Sequence, residues 1–253
     1  ALALVDWHVH TPLAYCSEDM SVPRAVDLAR AFGLAGIGFA EHSGQLYYPA
    51  DAYWGGTWAR EGLAGARPAD NRAKQFFEMT RPEAGPFVKV GLEIDTDFRG
   101  QLVLRDEDRR RADYLIGSLH DLPGLKDPNC PTARLCEEFL FLLRGMLSQD
   151  VSIVAHPFRL FRRTKRPVPK ALFAPTVELL RKHRAAAEIN FHTDEPPAEF
   201  FRQCLAAGVK IALGSDAHNL YEVGEFSPHR RLLREAGFSG DPRDVLLNFQ
   251  HVG

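Results

Sequence analysis

The strongest constraint on the fold is a recurring pair of features. Short apolar runs alternate with amphipathic ones, and the apolar runs end in metal-ligand-type side chains. Seven such runs lie at residues 2–10, 36–40, 87–92, 112–117, 151–155, 185–189 and 209–213. Near-continuous apolar runs of this length suit strands buried on both faces, the condition of a parallel sheet. Between them, helical spacing is legible at residues 23–32 (Ala25, Leu28, Ala29, Phe32, with Gly33 as the stop), 69–79, 132–147, 172–183 and 197–207. Two closing helices are expected at 228–236 and 242–249. Ser43 to Pro68 fits neither period. It is rich in Gly and aromatics (Tyr47, Tyr48, Tyr53, Trp54, Trp58) and reads as an irregular connection, either a lid over a substrate or a packed surface flap.

Six of the seven runs finish in His, Glu or Asp. The first ends in His8-Val9-His10, and alternation along a strand puts both imidazoles on one face, where they can grip one ion. The others end at His42, Glu93, His120, His156 and Asp216-Ala217-His218. An open doubly wound sheet gathers ligands at one switch point, whereas a barrel gathers them from the C-terminal ends of many strands. The pattern therefore favours an α/β barrel of parallel strands, with residues 1–253 as one domain. Six of the ten histidines at strand ends is not the distribution of solvated surface side chains. His183, His229 and His251 read as surface or capping residues, and His192 is ambiguous, one residue off the simplest register.

Bulk properties exclude more than they identify. A net charge of -2 gives no electrostatic case for nucleic acid or an anionic membrane. Apolar runs such as 139–143 fall far short of a membrane span, and no signal peptide is expected before the first strand. The four cysteines lack any CxxC and read as reduced thiols of a cytoplasmic protein. Imidazole and carboxylate suit Zn, Mn or Fe, and so many donors exceed the needs of one tetrahedral ion. Two or three divalent ions bridged by a carboxylate would account for them.

The ordered set His8-x-His10, Glu41-His42, Gly91-Leu92-Glu93, Gly117-Ser118-Leu119-His120, Ala155-His156-Pro157 and Gly214-Ser215-Asp216-Ala217-His218 resembles the PHP (polymerase and histidinol phosphatase) family. Within that family, Ser215-Asp216-Ala217-His218 followed by Gly224, with the chain's length, is most similar to histidinol-phosphate phosphatases. The resemblance implies a distorted (β/α)7 barrel with a trinuclear metal site. His8, His10, Glu93 and Asp216 would hold a first ion, and Glu93 would bridge to a second held by His120 and His156. His42 and His218 would hold the third, with one more ligand from the loop after the first strand. Many relatives have a histidine there; the candidates in this chain are Glu18 and Cys16, of which Glu18 better fits a hard ion.

The implied activity is hydrolysis of a small phosphomonoester, L-histidinol phosphate first and nucleotides or other small esters second. Metal ions make hydroxide available near neutral pH for in-line attack on phosphorus. Arg159, in His156-Pro157-Phe158-Arg159, matches the family's phosphate-binding arginine, and its fork suits two oxygens. The remaining basic run (Arg162, Arg163, Lys165, Arg166) is a solvated face or a rim that attracts anions. Two departures stand out. Around Asn190 the chain reads Glu188-Ile189-Asn190-Phe191-His192-Thr193-Asp194-Glu195, without the family's Gly and basic residue, so Asp194 and Glu195 would repel a phosphate or pair with a substrate amine. Asp121 follows His120 and is either a general acid for the leaving alkoxide or a loop residue. A non-catalytic PHP module is the competing class, and the gapless ligand set argues against it.

Overall fold

Seven strands form where the apolar runs lie, in a computed structural model that describes residues 4–193 and 195–251. They are β1 (Val5–Val9), β2 (Gly36–His42), β3 (Val88–Asp95), β4 (Leu115–Ser118), β5 (Ile153–Val154), β6 (Ala186–Asn190) and β7 (Ile211–Gly214). Each pairs in parallel with the next, and β7 returns to β1, so the sheet closes into a barrel in chain order. Parallel neighbours require crossovers, and helices occupy the connections between successive strands. Local chemistry sets their ends. The helix Val22–Ala31 carries Pro23 in its first turn and stops before Gly33, whose φ of +69° is left-handed. The helix Thr132–Leu147 follows Pro131 and buries Leu135, Phe139, Leu142, Leu143 and Met146 along one stripe.

A bulge in β1 positions the site. Asp6 pairs with Ile37 and Val9 with Phe39, so three steps on β1 oppose two on β2. Such a bulge switches which residues face in. Val5 and Trp7 join a small interior cluster with Ile116, Ile153, Ala186 and Ala212, while Val9 joins the outer layer between strands and helices. His8 and His10 face the lumen above Trp7, where both approach Glu93 and Asp216. Tyr114 also fills the interior, its hydroxyl donating to Trp7 O at 2.7 Å. Gly38 permits this, because a Cβ there would collide with that hydroxyl.

Two expectations are corrected. No helix forms at 242–249. Asp241 caps a 3-10 turn at Pro242–Asp244, and β7 then recruits the backbone: Ile211 N donates to Val245 O (2.9 Å) and Leu247 N to Ile211 O (2.8 Å). The apolar residues close the barrel floor instead, with Trp7 Nε1 donating to Leu247 O (3.2 Å) and Phe249 edge-on to Trp7. The segment after β2 is not irregular either. It folds into helical turns at Ser43–Tyr47, Ala50–Trp54, Thr57–Glu61 and Gly62–Gly65, each too short for a 3.6-residue period to register. Leu46, Tyr47, Tyr48, Tyr53 and Trp58 are buried there, whereas Trp54 stays 59% exposed. Among the described residues no helix is long and apolar enough to cross a membrane.

Candidate metal centre and cavity

The C-terminal strand ends converge on Glu93. One carboxylate oxygen, Oε2, lies 2.5 Å from His42 Nδ1, 3.3 Å from His8 Nε2 and 3.7 Å from His10 Nε2. The other, Oε1, lies 3.0 Å from His156 Nε2 and 3.3 Å from His120 Nε2. Asp216 Oδ1 lies 2.8 Å from His10 Nε2 and 3.7 Å from His8 Nε2. Of the four groupings whose donor atoms lie within 4.8 Å of one another, His192 with His218 and Glu222 sits at the cavity edge, and three lie at the centre: His8 with His10 and Asp216, His42 with Glu93 and His120, and His10 with His42 and His218. All of the side chains at the centre are buried except His120, which is partly so.

Outer partners aim these rings. His8 Nδ1 meets Glu188 Oε1 (2.8 Å), His10 Nδ1 meets Glu41 Oε1 (3.1 Å), and His120 Nδ1 meets Asp95 Oδ1 (2.7 Å). His218 Nδ1 donates to the backbone oxygen of Asp216 (2.7 Å). Because those oxygens only accept, each Nδ1 carries a proton, and each Nε2 is turned toward the centre, the orientation of metal-ligating histidines. Glu41, Asp95 and Glu188 were not singled out as orienting groups from sequence. A signal existed: Asp95 and Glu188 sit two residues from Glu93 and Asn190 on β3 and β6, hence on the same inward face. Gly214 makes room for one of them, since a Cβ there would overlap the Glu188 carboxylate.

The electrostatics describe a centre short of positive charge. Burial raises the pKa values of Glu93 and Asp216, but His42 and His8 beside Glu93, and the Arg159 guanidinium and His8 beside Asp216, outweigh it and hold both well below the carboxylate range. Burial likewise lowers His10 and His120, yet their carboxylate partners raise each to about 9. His156, buried beside Arg159, is driven well below its usual value, and burial takes His218 to about 3. The buried atoms His8 Nε2, His42 Nδ1, Glu93 Oε2 and His218 Nε2 have no hydrogen-bond partner. Unpaired buried donors of N and O type, crowded within ion-coordinating range, fit divalent cations. Asp216 and His156 also hold left-handed φ angles (55° and 26°), costs of a kind that cluster at functional sites.

A cavity of about 320 Å³ opens over His42, His120 and His218. Its walls include Tyr53, Trp54 and Trp58 together with Arg159, Arg163 and Lys126. Arg159 Nη1 contacts Asp216 Oδ2 (2.5 Å), while its buried Nε has no partner. Asp121 lines the cavity with its carboxylate 3.3 Å from Lys126 Nζ. His192 also lines it, stacked on His218 with Nδ1 3.4 Å from Glu222.

Other expected residues fall elsewhere. Glu18 is exposed and accepts from Asn219 Nδ2 (3.4 Å), because the loop turns it outward after Glu18 N bonds His218 O. Asn190 is buried behind Asp216, donating to Asp216 Oδ2 (3.0 Å) and Glu188 Oε2 (3.1 Å); it orients the site rather than lining the cavity. Glu195 is exposed and is not among the lining residues. Asp194 and the side chain of His251 lie outside the described residues. His229 is not a surface residue: it is buried, with Nε2 donating to Gly214 O (2.9 Å).

A closed parallel barrel with a buried His and carboxylate cluster at its C-terminal strand ends defines a metal-centre barrel. The family model of the PHP domain matches residues 6–192, and the chain belongs to the PHP family. A probable phosphatase of Caldicellulosiruptor saccharolyticus is 27% identical, the match covering 96% of this chain and 91% of the relative. One of Acetivibrio thermocellus is 28% identical over 65% of each chain, so this chain spans just under two thirds of that relative's length. Among solved structures, a candidate histidinol phosphatase of Listeria monocytogenes is similar in fold, with a TM-score of 0.59 at 14% identity, covering 88% of this chain and 98% of the other.

Proposed function

We propose that the protein is a metal-dependent phosphatase of small phosphomonoesters. The observation that carries this reading is the two-sided Glu93, with unpartnered imidazole nitrogens around it and the unpaired Nε of Arg159 at the cavity above. His8, His10 and Asp216 would hold one ion beside Glu93, His120 and His156 a second across it, and His42 and His218 a third. Bound divalent ions would neutralise phosphoryl charge and supply an acidic water near neutral pH. Arg159 binds a phosphoryl oxygen through its free nitrogens while Asp216 fixes the guanidinium plane. Asn190 and Glu188 keep Asp216 and His8 in register. His120 and Trp58, set edge to face with ring centroids 6.3 Å apart, form one side of the cavity.

The walls select the alcohol. The lining indoles of Trp54 and Trp58 suit a planar ring, and Lys126 with Arg163 adds positive charge at the rim. L-Histidinol phosphate supplies such a ring, and it is the substrate named in the description of the structural neighbour at 14% identity. Its ammonium, however, would face two cations and one carboxylate, Asp121, which is already beside Lys126. A nucleotide supplies the ring without that conflict, and the rim therefore favours it. Phosphate release after Zn or Mn reconstitution tests both, using histidinol phosphate, nucleoside monophosphates, sugar phosphates and a phosphodiester. Turnover of monoesters led by a nucleotide is the expected result. A preference of about 100-fold for histidinol phosphate, about 2.7 kcal/mol, would reverse the substrate order. Preference for the diester, or no turnover, would refute the reading.

A further inference from the structure

The third cation position, at His42 and His218, lacks a donor from the loop after β1 if Glu18 is the only candidate, because Glu18 is exposed. The loop after β1 offers a different one. Successive turns bond Ala14 N to Thr11 O and Ser17 N to Ala14 O, and Glu18 N then bonds the backbone oxygen of His218. This stitching sets Cys16 on the cavity wall, with Sγ 3.8 Å from His42 Nε2. Gln45 Nε2 donates to the same sulfur at 3.5 Å, a contact that stabilises negative charge on it. His42 turns Nδ1 toward Glu93, which leaves Nε2 on the Cys16 side. His218 spends Nδ1 on the Asp216 backbone, and its Nε2 is buried without a partner.

We propose that Cys16 Sγ is a thiolate ligand that completes the His42 and His218 cation position. Zinc bonds of about 2.1 Å to nitrogen and about 2.3 Å to sulfur in a tetrahedron separate N from S by about 3.6 Å. The observed 3.8 Å needs little adjustment. A sulfur donor makes this one position prefer zinc, iron or cobalt over manganese and magnesium, while the carboxylate-bridged positions keep nitrogen and oxygen donors. The inference rests on the reading of the cluster as a metal centre and adds a sulfur ligand to it.

The test uses the full chain, stripped by chelator, reloaded with cobalt(II) and followed by absorption. Ligand-field bands report that cobalt is bound, and a near-ultraviolet thiolate-to-cobalt charge-transfer band reports sulfur ligation. The expected result is both in the wild type, with loss of only the charge-transfer band in Cys16→Ser and Cys16→His. Cys130, Cys136 and Cys204 remain in both variants, so the loss assigns the band to Cys16. Zinc should also slow alkylation of Cys16 by about tenfold or more, and the weakest-bound ion should be held at least about tenfold less tightly in Cys16→Ser. Ligand-field bands without charge transfer in the wild type would overturn the sulfur ligand while leaving the phosphatase reading intact. A charge-transfer band that survives in Cys16→Ser would overturn it as well. Absence of any bound cobalt would overturn both.

Discussion

Replacing Glu188 by glutamine keeps the side chain's shape and turns one accepting oxygen into a donor. Glu188 Oε1 takes the proton of His8 Nδ1 at 2.8 Å, and Oε2 takes both His156 N–H at 2.8 Å and Asn190 Nδ2 at 3.1 Å. If the new NH2 sat at the Oε2 position, two buried donors would lose their acceptor, at about 1–3 kcal/mol each. If it sat at the Oε1 position, only His8 would have to respond, by accepting at Nδ1 and moving its proton to Nε2. The second arrangement costs less, and it removes the Nε2 lone pair that faces Glu93 and Asp216. Loss of such an orienting partner weakens metal binding about 10–100-fold, or about 1.4–2.7 kcal/mol. Zinc affinity of Glu188→Gln, measured by competition with a chromophoric chelator, should fall in that range while far-ultraviolet dichroism is unchanged. Wild-type affinity in this variant would show that Glu188 does not control which nitrogen His8 presents, and the orientation argument would fail.

Three further outcomes follow from the same geometry. Arg159→Met should lower kcat/KM for phosphomonoesters about 100-fold, and Arg159→Lys should recover little of it, because an ammonium cannot hold Asp216 and a phosphate oxygen as a planar fork does; steady-state kinetics of the two variants check this. Trp54→Ala should raise KM for ring-bearing esters and leave glycerol phosphate unaffected, with stability within about 0.5 kcal/mol of wild type because the side chain is largely exposed. The third concerns acid stability. Burial holds His229 at about 4 against an ordinary value of 6.5, since its Nδ1 is buried without a partner. Between those pH values the unfolded chain binds the proton and the folded chain does not, so the stability contributed by neutral His229 is complete above pH 6.5 and is lost as pH falls toward 4. The loss amounts to about 3 kcal/mol; urea titrations across this window should show a shallower pH dependence for His229→Phe, and parallel curves would refute the assignment.

The barrel was legible because each strand is buried on both faces and so appears as an uninterrupted apolar run, with the next helix marked by its own period. The residues of the strand-end cluster were legible because they sit where those runs stop. What the sequence concealed has a common cause. Glu41, Asp95 and Glu188 act on histidines from other strands, 25 to 180 residues away, and nothing local distinguishes an inward carboxylate that orients a ring from one that is solvated. The β1 bulge is equally silent, since Trp7 and His8 facing the same lumen contradicts simple alternation. Glu18 was preferred to Cys16 on donor hardness alone, and only the backbone bond from Glu18 N to His218 O shows which side chain the loop turns inward. The 242–249 segment carries helix-compatible residues, but its backbone partners are on β7.

The floor of the barrel has a consequence for how the strand-end cluster is assembled during synthesis. Trp7 rests on Leu247 and Phe249, a contact separated by 240 residues in the case of the indole hydrogen bond. β1 also waits for β7 before its second edge is paired. Contacts of such high sequence separation form late, after the loop they close has been ordered. Emerging from the ribosome, the first strand carries His8 and His10 yet has neither its floor nor its second neighbour until residues near 249 appear. The nascent chain therefore presents these histidines without their barrel neighbours for most of its synthesis, and the strand-end cluster is assembled only once the two ends of the barrel have met.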